Sequence, residues 1–145
     1  MTRINKLIIG AFAILFVSQT LLSQELLNYA NSLKYANYLF DNQQYDFATY
    51  EYERVLFMVP NDTLAKLRLV QSYSYLKEHQ TALNRIETFF PEQNSLPSDF
   101  AEAYVKNLLY AHQYQKVHSF LEQDNHLNTY RRREIQLGVF IMQQQ

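Results

Sequence analysis

The sequence predicts an all-α protein built as a stack of antiparallel helix pairs, and three observations carry that expectation. The chain of 145 residues contains only 2 Gly and 3 Pro, too few turn-formers for the many tight connections of an all-β domain. Its apolar residues recur at three- and four-residue spacings interrupted by short polar clusters, the pattern of amphipathic helices joined by brief turns. The segments also repeat: units beginning at Tyr29, Thr63, Ser98 and Arg131 are separated by 34, 35 and 33 residues, and a fixed period of this size marks a helical repeat. The length suits one domain with a core that needs no covalent staple. With 0 Cys, disulfides, thiolate metal sites and a lipidated N-terminal Cys are excluded. The balance of 13 basic against 14 acidic residues gives no global attraction to nucleic acid or anionic lipid.

The first element is a targeting segment. Arg3 and Lys6 form a basic start, Leu7 to Val17 is an apolar run of eleven residues, and Ser18-Gln19-Thr20 followed by Leu21-Leu22-Ser23 closes it. That run is shorter than the ~20 apolar residues needed to span a bilayer, so residues 1–23 read as a secretory signal peptide cleaved after Ser23, or alternatively after Thr20. The mature chain, 24–145, would carry a formal charge of −3, having lost two basic residues from a chain at −1. Uncleaved, the same segment is an N-terminal anchor, the one route by which this sequence meets a membrane. Export to the periplasm or cell envelope is the expectation.

In the first unit, Leu33, Tyr35, Ala36, Leu39 and Phe40 give one helical stripe, and Asp41-Asn42-Gln43-Gln44 breaks it. A second helix runs from Tyr45 to Met58 with Ala48, Tyr52, Val55 and Leu56 inward, ended by Pro60-Asn61. Asp62 is placed to cap the next helix, Leu64 to Leu76, by accepting a free backbone N–H. Lys77-Glu78-His79 forms a turn before a helix over Thr81 to Phe90, which Pro91 stops. After the connector 91–97, Ser98-Asp99 caps a helix reaching Ala111, with Asp99 and Glu102 spaced as a capping box. Tyr114 to Gln123 pairs with it, and a last helix opens at Asn128 or Thr129 and runs through Met142.

These units resemble tetratricopeptide repeats. The family's Leu-Gly pair is matched by Tyr35-Ala36, Leu69-Val70, Tyr104-Val105 and Leu137-Gly138, and the Tyr site by Leu39, Tyr73, Leu108 and Ile141. Its Ala site is matched by Ala48, Ala82 and Val117, and its Phe site by Tyr52, Ile86 and Leu121. An aromatic just after the turn appears as Tyr45 and Tyr114, with His79 between them. The chain departs from the pattern in lacking the family Trp, where Ser32, Lys66, Ala101 and Glu134 stand, and in having only Pro60 at the closing-proline site. The resemblance covers residues 24–145 and implies a right-handed superhelical stack of about seven helices with a concave, partner-binding wall.

No pattern supports catalysis. His79, His112, His118 and His126 are not spaced as metal ligands, and neither a phosphate loop nor a nucleophile elbow is present. Asp41 with Asp46 and Glu51 with Glu53 read as solvated surface. Arg131-Arg132-Arg133 is the one charge run, partly offset by Glu134; it suits a solvated face or an acidic partner. No cofactor, metal or nucleic-acid partner is expected, and the chain is not expected to be an enzyme.

The resemblance instead implies a groove along the first helix of every unit. Its fifth place carries Leu33, Leu67, Glu102 and Ile135; its ninth carries Asn37, Gln71, Lys106 and Val139; its twelfth and thirteenth include Phe40, Tyr75, Tyr110 and Met142. Asn37, Gln71 and Lys106 would hydrogen-bond an extended peptide, with Phe40, Tyr75 and Tyr110 supplying pockets beside them. The last helix, with Ile135, Val139, Phe140 and Met142, is expected to leave an apolar contact surface at the C-terminal end, open to a second copy, another subunit or further sequence. The sequence therefore points to an exported adaptor binding a protein or peptide. The alternatives are a structural subunit of an envelope assembly and the N-terminal portion of a longer repeat protein.

Overall fold

The computed structural model describes residues 28–91, 96–123 and 129–143. The expected signal segment, its cleavage site and most of the 91–97 connector lie outside them. The described residues form seven helices and no strand: α1 (Tyr29–Asp41), α2 (Tyr45–Met58), α3 (Thr63–Tyr75), α4 (His79–Phe89), α5 (Ser98–Tyr110), α6 (Tyr114–Gln123) and α7 (Thr129–Met142). Each packs against the next in the chain, and the odd-numbered helices α1, α3 and α5 also touch in succession. This is the all-α helical-repeat stack that the period predicted. Among the described residues no helix is long and apolar enough to cross a membrane.

The repeat is visible in what each position buries. Ala48, Ala82 and Val117 open the second helices and are fully buried, and Tyr52, Ile86 and Leu121, four residues on, are buried beside them. Small side chains at the first site let paired helices approach, while the larger ones fill the space behind. The core is two abutting clusters. Ala36, Leu39, Phe40, Tyr52, Val55 and Leu69 hold the first, and Val70, Leu83, Ile86, Phe100, Tyr104 and Leu108 are central to the second. Leu69 and Val70 thus send adjacent side chains into different clusters, which joins the units.

Three equivalent turns join the first and second helices of the units without glycine. Gln43, Lys77 and His112 adopt left-handed backbone, with φ of 60°, 63° and 57°. After each, the next N–H returns to the carbonyl five residues back: Gln44 to Leu39, Glu78 to Tyr73 and Gln113 to Leu108, all at 2.9 Å. These paired bonds satisfy carbonyls that a helix end would otherwise leave open. At the opposite ends, Asn28 accepts from the Asn31 N–H at 3.3 Å and Asp62 from the Ala65 N–H at 2.9 Å.

Some sequence expectations need correction. The turn between α3 and α4 is Leu76-Lys77-Glu78, so His79 is the first residue of α4 and not part of the turn. Pro97 occupies the cap position of α5, where no side-chain cap bond forms, so the capping box expected of Asp99 and Glu102 is not made. The largest revision concerns α7, which begins at Thr129, so its buried stripe comes two residues earlier than a unit starting at Arg131 would give. Val139 is buried against the preceding pair, whereas Leu137 and Ile141 are exposed. Gly138 is not at a close helix contact either: a Cβ there would meet nothing within 4 Å.

Candidate peptide-binding groove

The first helices of successive units bury one face in the core and turn another to a shared concavity. In α3 the buried side is Ala65, Leu69, Val70 and Ser72, which leaves Gln71, Ser74 and Tyr75 on the open side. In α5, burial of Phe100, Ala101, Tyr104, Val105 and Leu108 leaves Glu102, Lys106 and Tyr110 facing the same way. With Arg131, Ile135 and Met142 of α7, these residues line a groove of about 470 Å³.

The aromatic walls are fixed by stacking between units. Tyr75, the last residue of α3, stacks on Tyr45, the first of α2, with centroids 4.6 Å apart. One unit later, Tyr110 at the end of α5 stacks on His79 at the start of α4, at 4.9 Å. Each ring therefore gives one face to the stack and keeps about half its surface exposed. The Lys106 ammonium lies 5.5 Å from the Tyr75 centroid, a cation–π arrangement that positions a donor over the groove floor.

Beneath the rings is a polar lattice that the sequence did not reveal. Asn107 is completely buried; its Nδ2 donates to Ser74 Oγ at 2.7 Å and to the Ala103 carbonyl at 2.8 Å. Its Oδ1 lies 2.9 Å from His79 Nδ1, so with Nδ2 donating, the ring nitrogen is assigned as the donor. Ser74 Oγ in turn donates to the Val70 carbonyl at 2.9 Å. One amide thereby connects α3, α4 and α5, with both N–H donors and the carbonyl oxygen engaged.

The charged end of the groove is partly neutralised from within. Arg131 bridges Glu102 of α5 at 3.3 Å and Glu134 of its own helix at 2.9 Å. Hydrogen bonds to Glu134 and then Glu102 raise the guanidinium pKa above its ordinary value. Arg132 Nη1 donates to the Leu121 carbonyl, fastening α7 to α6. Asp99 also lines this end.

Of the residues predicted for the groove, Gln71, Tyr75, Lys106 and Tyr110 meet in it, and Asn37 and Phe40 do not. Asn37 lies on a separate shallow surface along α1 with Leu33, Lys34 and Tyr38, and its Oδ1 accepts the Tyr52 hydroxyl at 2.7 Å. Phe40 is core: only 8% exposed, it meets Tyr45 and Tyr75 edge to face at 5.4 and 5.9 Å and carries the Arg68 guanidinium 4.2 Å from its centroid. Of the four C-terminal contact candidates, Phe140 alone is exposed. Val139 is buried, and Ile135 and Met142 are half-buried on the groove side of α7.

Fold and groove together define an all-helical repeat protein with a preformed concave cleft. No family model, curated protein or solved structure matches the chain.

Proposed function

We propose that this chain is an exported adaptor of the tetratricopeptide kind, which holds a protein or peptide partner in the groove between α3, α5 and α7 and performs no catalysis. One observation carries the reading: Gln71 and Lys106, and Tyr75 and Tyr110, come from matching places in successive units and line one open cleft. An extended peptide has unpaired N–H and C=O groups along its length. The Gln71 amide offers both a donor and an acceptor to that backbone, and Lys106 offers donors. The rings of Tyr75 and Tyr110, already immobilised by stacking, supply flat apolar contact at little entropic cost. Asn37 has no part in this site.

Peptides selected from a displayed random library on the purified protein, then titrated against wild type and the Gln71→Ala/Lys106→Ala variant, test the proposal. Losing two such bonds at about 0.5–1.5 kcal/mol each corresponds to an affinity loss of roughly 5- to 150-fold. Unchanged affinity in a folded double variant overturns the groove assignment. N-terminal sequencing of protein recovered from the cell envelope tests export separately: a chain beginning near Gln24 is expected, and one beginning at Met1 would make the segment an anchor.

A further inference from the structure

The repeat supplies an internal comparison for the outer surfaces of the second helices. In α2 that surface carries Phe47, Tyr50 and Phe57, exposed by 58%, 75% and 82%. One period on, α4 has Thr81 and Asn84 at the places of Phe47 and Tyr50, and two periods on, α6 has Lys116 and Ser119. The same backbone position is thus polar in two units and aromatic in one. Packing within the stack does not require Phe47 or Tyr50, because the equivalent helices pack without them, and Phe57 has too little buried surface to serve it.

A second exposed apolar stripe lies at the other end of the chain. On α7, Leu137, Phe140 and Ile141 are each more than half exposed. They face away from the side that buries Val139 and turns Ile135 and Met142 to the groove.

The two helices are complementary in formal charge. Helix α2 contains Asp46, Glu51, Glu53 and Arg54, a formal −2, and α7 contains three Arg and Glu134, a formal +2. Glu51 is paired with Arg54, and Glu53 with Arg85; Arg131 and Arg132 are held as described above. No ion pair of Asp46 or Arg133 is found among the described residues. Asp46 precedes Tyr50 by four residues, and Arg133 precedes Leu137 by four. Parallel alignment of the helices therefore sets Asp46 against Arg133 and Tyr50 against Leu137, with Phe140 and Ile141 falling between Tyr50 and Phe57.

We infer that the occupant of each stripe is a second copy of this chain: the outer face of α7 in one molecule docks on the outer face of α2 in the next. The contact joins different surfaces, so every pairing leaves one of each unfilled, and assembly continues into rings or open chains. Neither outer face belongs to the groove, so the assembled copies keep their clefts open, and the inference stands independently of the peptide-binding proposal.

Sedimentation of the purified mature chain, residues 24–145, across a concentration series, with Phe57→Glu and Phe140→Glu variants, tests it. Wild type is expected to form species larger than dimers as concentration rises. Each variant alone is expected to be monomeric, and the two mixed should give a dimer that grows no further, because each retains the face the other lacks. Both substituted positions are exposed, and circular dichroism checks folding; Tyr50→Lys and Leu137→Lys provide a second pair. Asp46→Arg should weaken association about tenfold or more, and Asp46→Arg with Arg133→Asp should restore it. Wild type monomeric throughout, self-association by either variant alone, or a mixture that stays monomeric would each overturn the inference.

Discussion

Replacing Gln43 by glycine should stabilise the protein by about 0.5–1 kcal/mol. Gln43 sits at φ 60°, where the Cβ of an L-residue crowds the adjacent carbonyl at a cost of about 1–2 kcal/mol. Glycine removes that crowding and returns about 0.4–1 kcal/mol through the greater freedom of the unfolded chain. Gln43 is exposed, and no side-chain hydrogen bond of it is found among the described residues, so no contact offsets the gain. The backbone bonds of the turn, from the Gln43 N–H to Phe40 and from Gln44 to Leu39, are made equally well by glycine. For a stack of this size the gain corresponds to a rise in Tm of about 2–6 °C, measurable by circular dichroism and by the midpoint of urea unfolding. Lys77→Gly, at φ 63°, should gain less, because a cation just past a helix C-terminus contributes about 0.3–1 kcal/mol that the substitution removes. Lys77→Val should lose stability, since a β-branched residue fits this conformation poorly. A Gln43→Gly protein with unchanged or lowered Tm would refute the claim that these turns hold strained non-glycine residues.

Asn107→Ala should cost about 1–3 kcal/mol, because it removes the buried amide that joins Ser74, His79 and the Ala103 carbonyl, leaving their groups unpaired; urea unfolding measures it. Phe40→Ala should cost about 3–5 kcal/mol and should lower Tm sharply, as expected of a core ring. Stability should also fall in strong alkali. Burial, the first cause, raises the Tyr52 and Tyr104 hydroxyl pKa values above the ordinary 10.0, so the folded chain retains protons that the unfolded chain releases. The stability this represents is fully present below pH 10 and is lost as pH rises toward the folded values. Tyr52→Phe should flatten that loss while costing about 1 kcal/mol at neutral pH for the bond to Asn37; an alkaline limb unchanged in this variant would count against it.

The parts of the fold written in local chemistry were legible. Polar breaks and apolar spacing located all seven helices, and α2 and α6 start and end where the pattern placed them, because their limits follow from the chain's own periodicity. What escaped was fixed at a distance or by backbone geometry. The left-handed turn residues are Gln, Lys and His, and nothing in those identities marks a turn that glycine normally makes. In α7 the sequence contains two overlapping stripes, Leu137 with Ile141 and Ile135 with Val139. Only the start of the helix at Thr129 and its docking on the third pair decide which is buried. Asn107 gave no signal because its role depends on partners 33 and 28 residues away.

The groove and the core are not separate inventions in this chain. Tyr75 and Tyr110 occupy the same place in consecutive units, and each leans on the first residue of the preceding unit's second helix, Tyr45 or His79. That contact recurs because the period brings the end of one first helix beside the start of the previous second helix. In the first unit that place holds Asp41, and the ring stands one residue earlier as Phe40, where Tyr45, Tyr52, Tyr75 and the Arg68 guanidinium close around it and take it inside. The groove consequently begins at the second unit. Its walls are already held in place, since stacking and the Asn107 lattice restrict the rings and the helix spacing. A substitution that unstacks His79 from Tyr110 would therefore weaken ligand binding without touching the ligand, by returning to Tyr110 the rotational freedom that the stack removes.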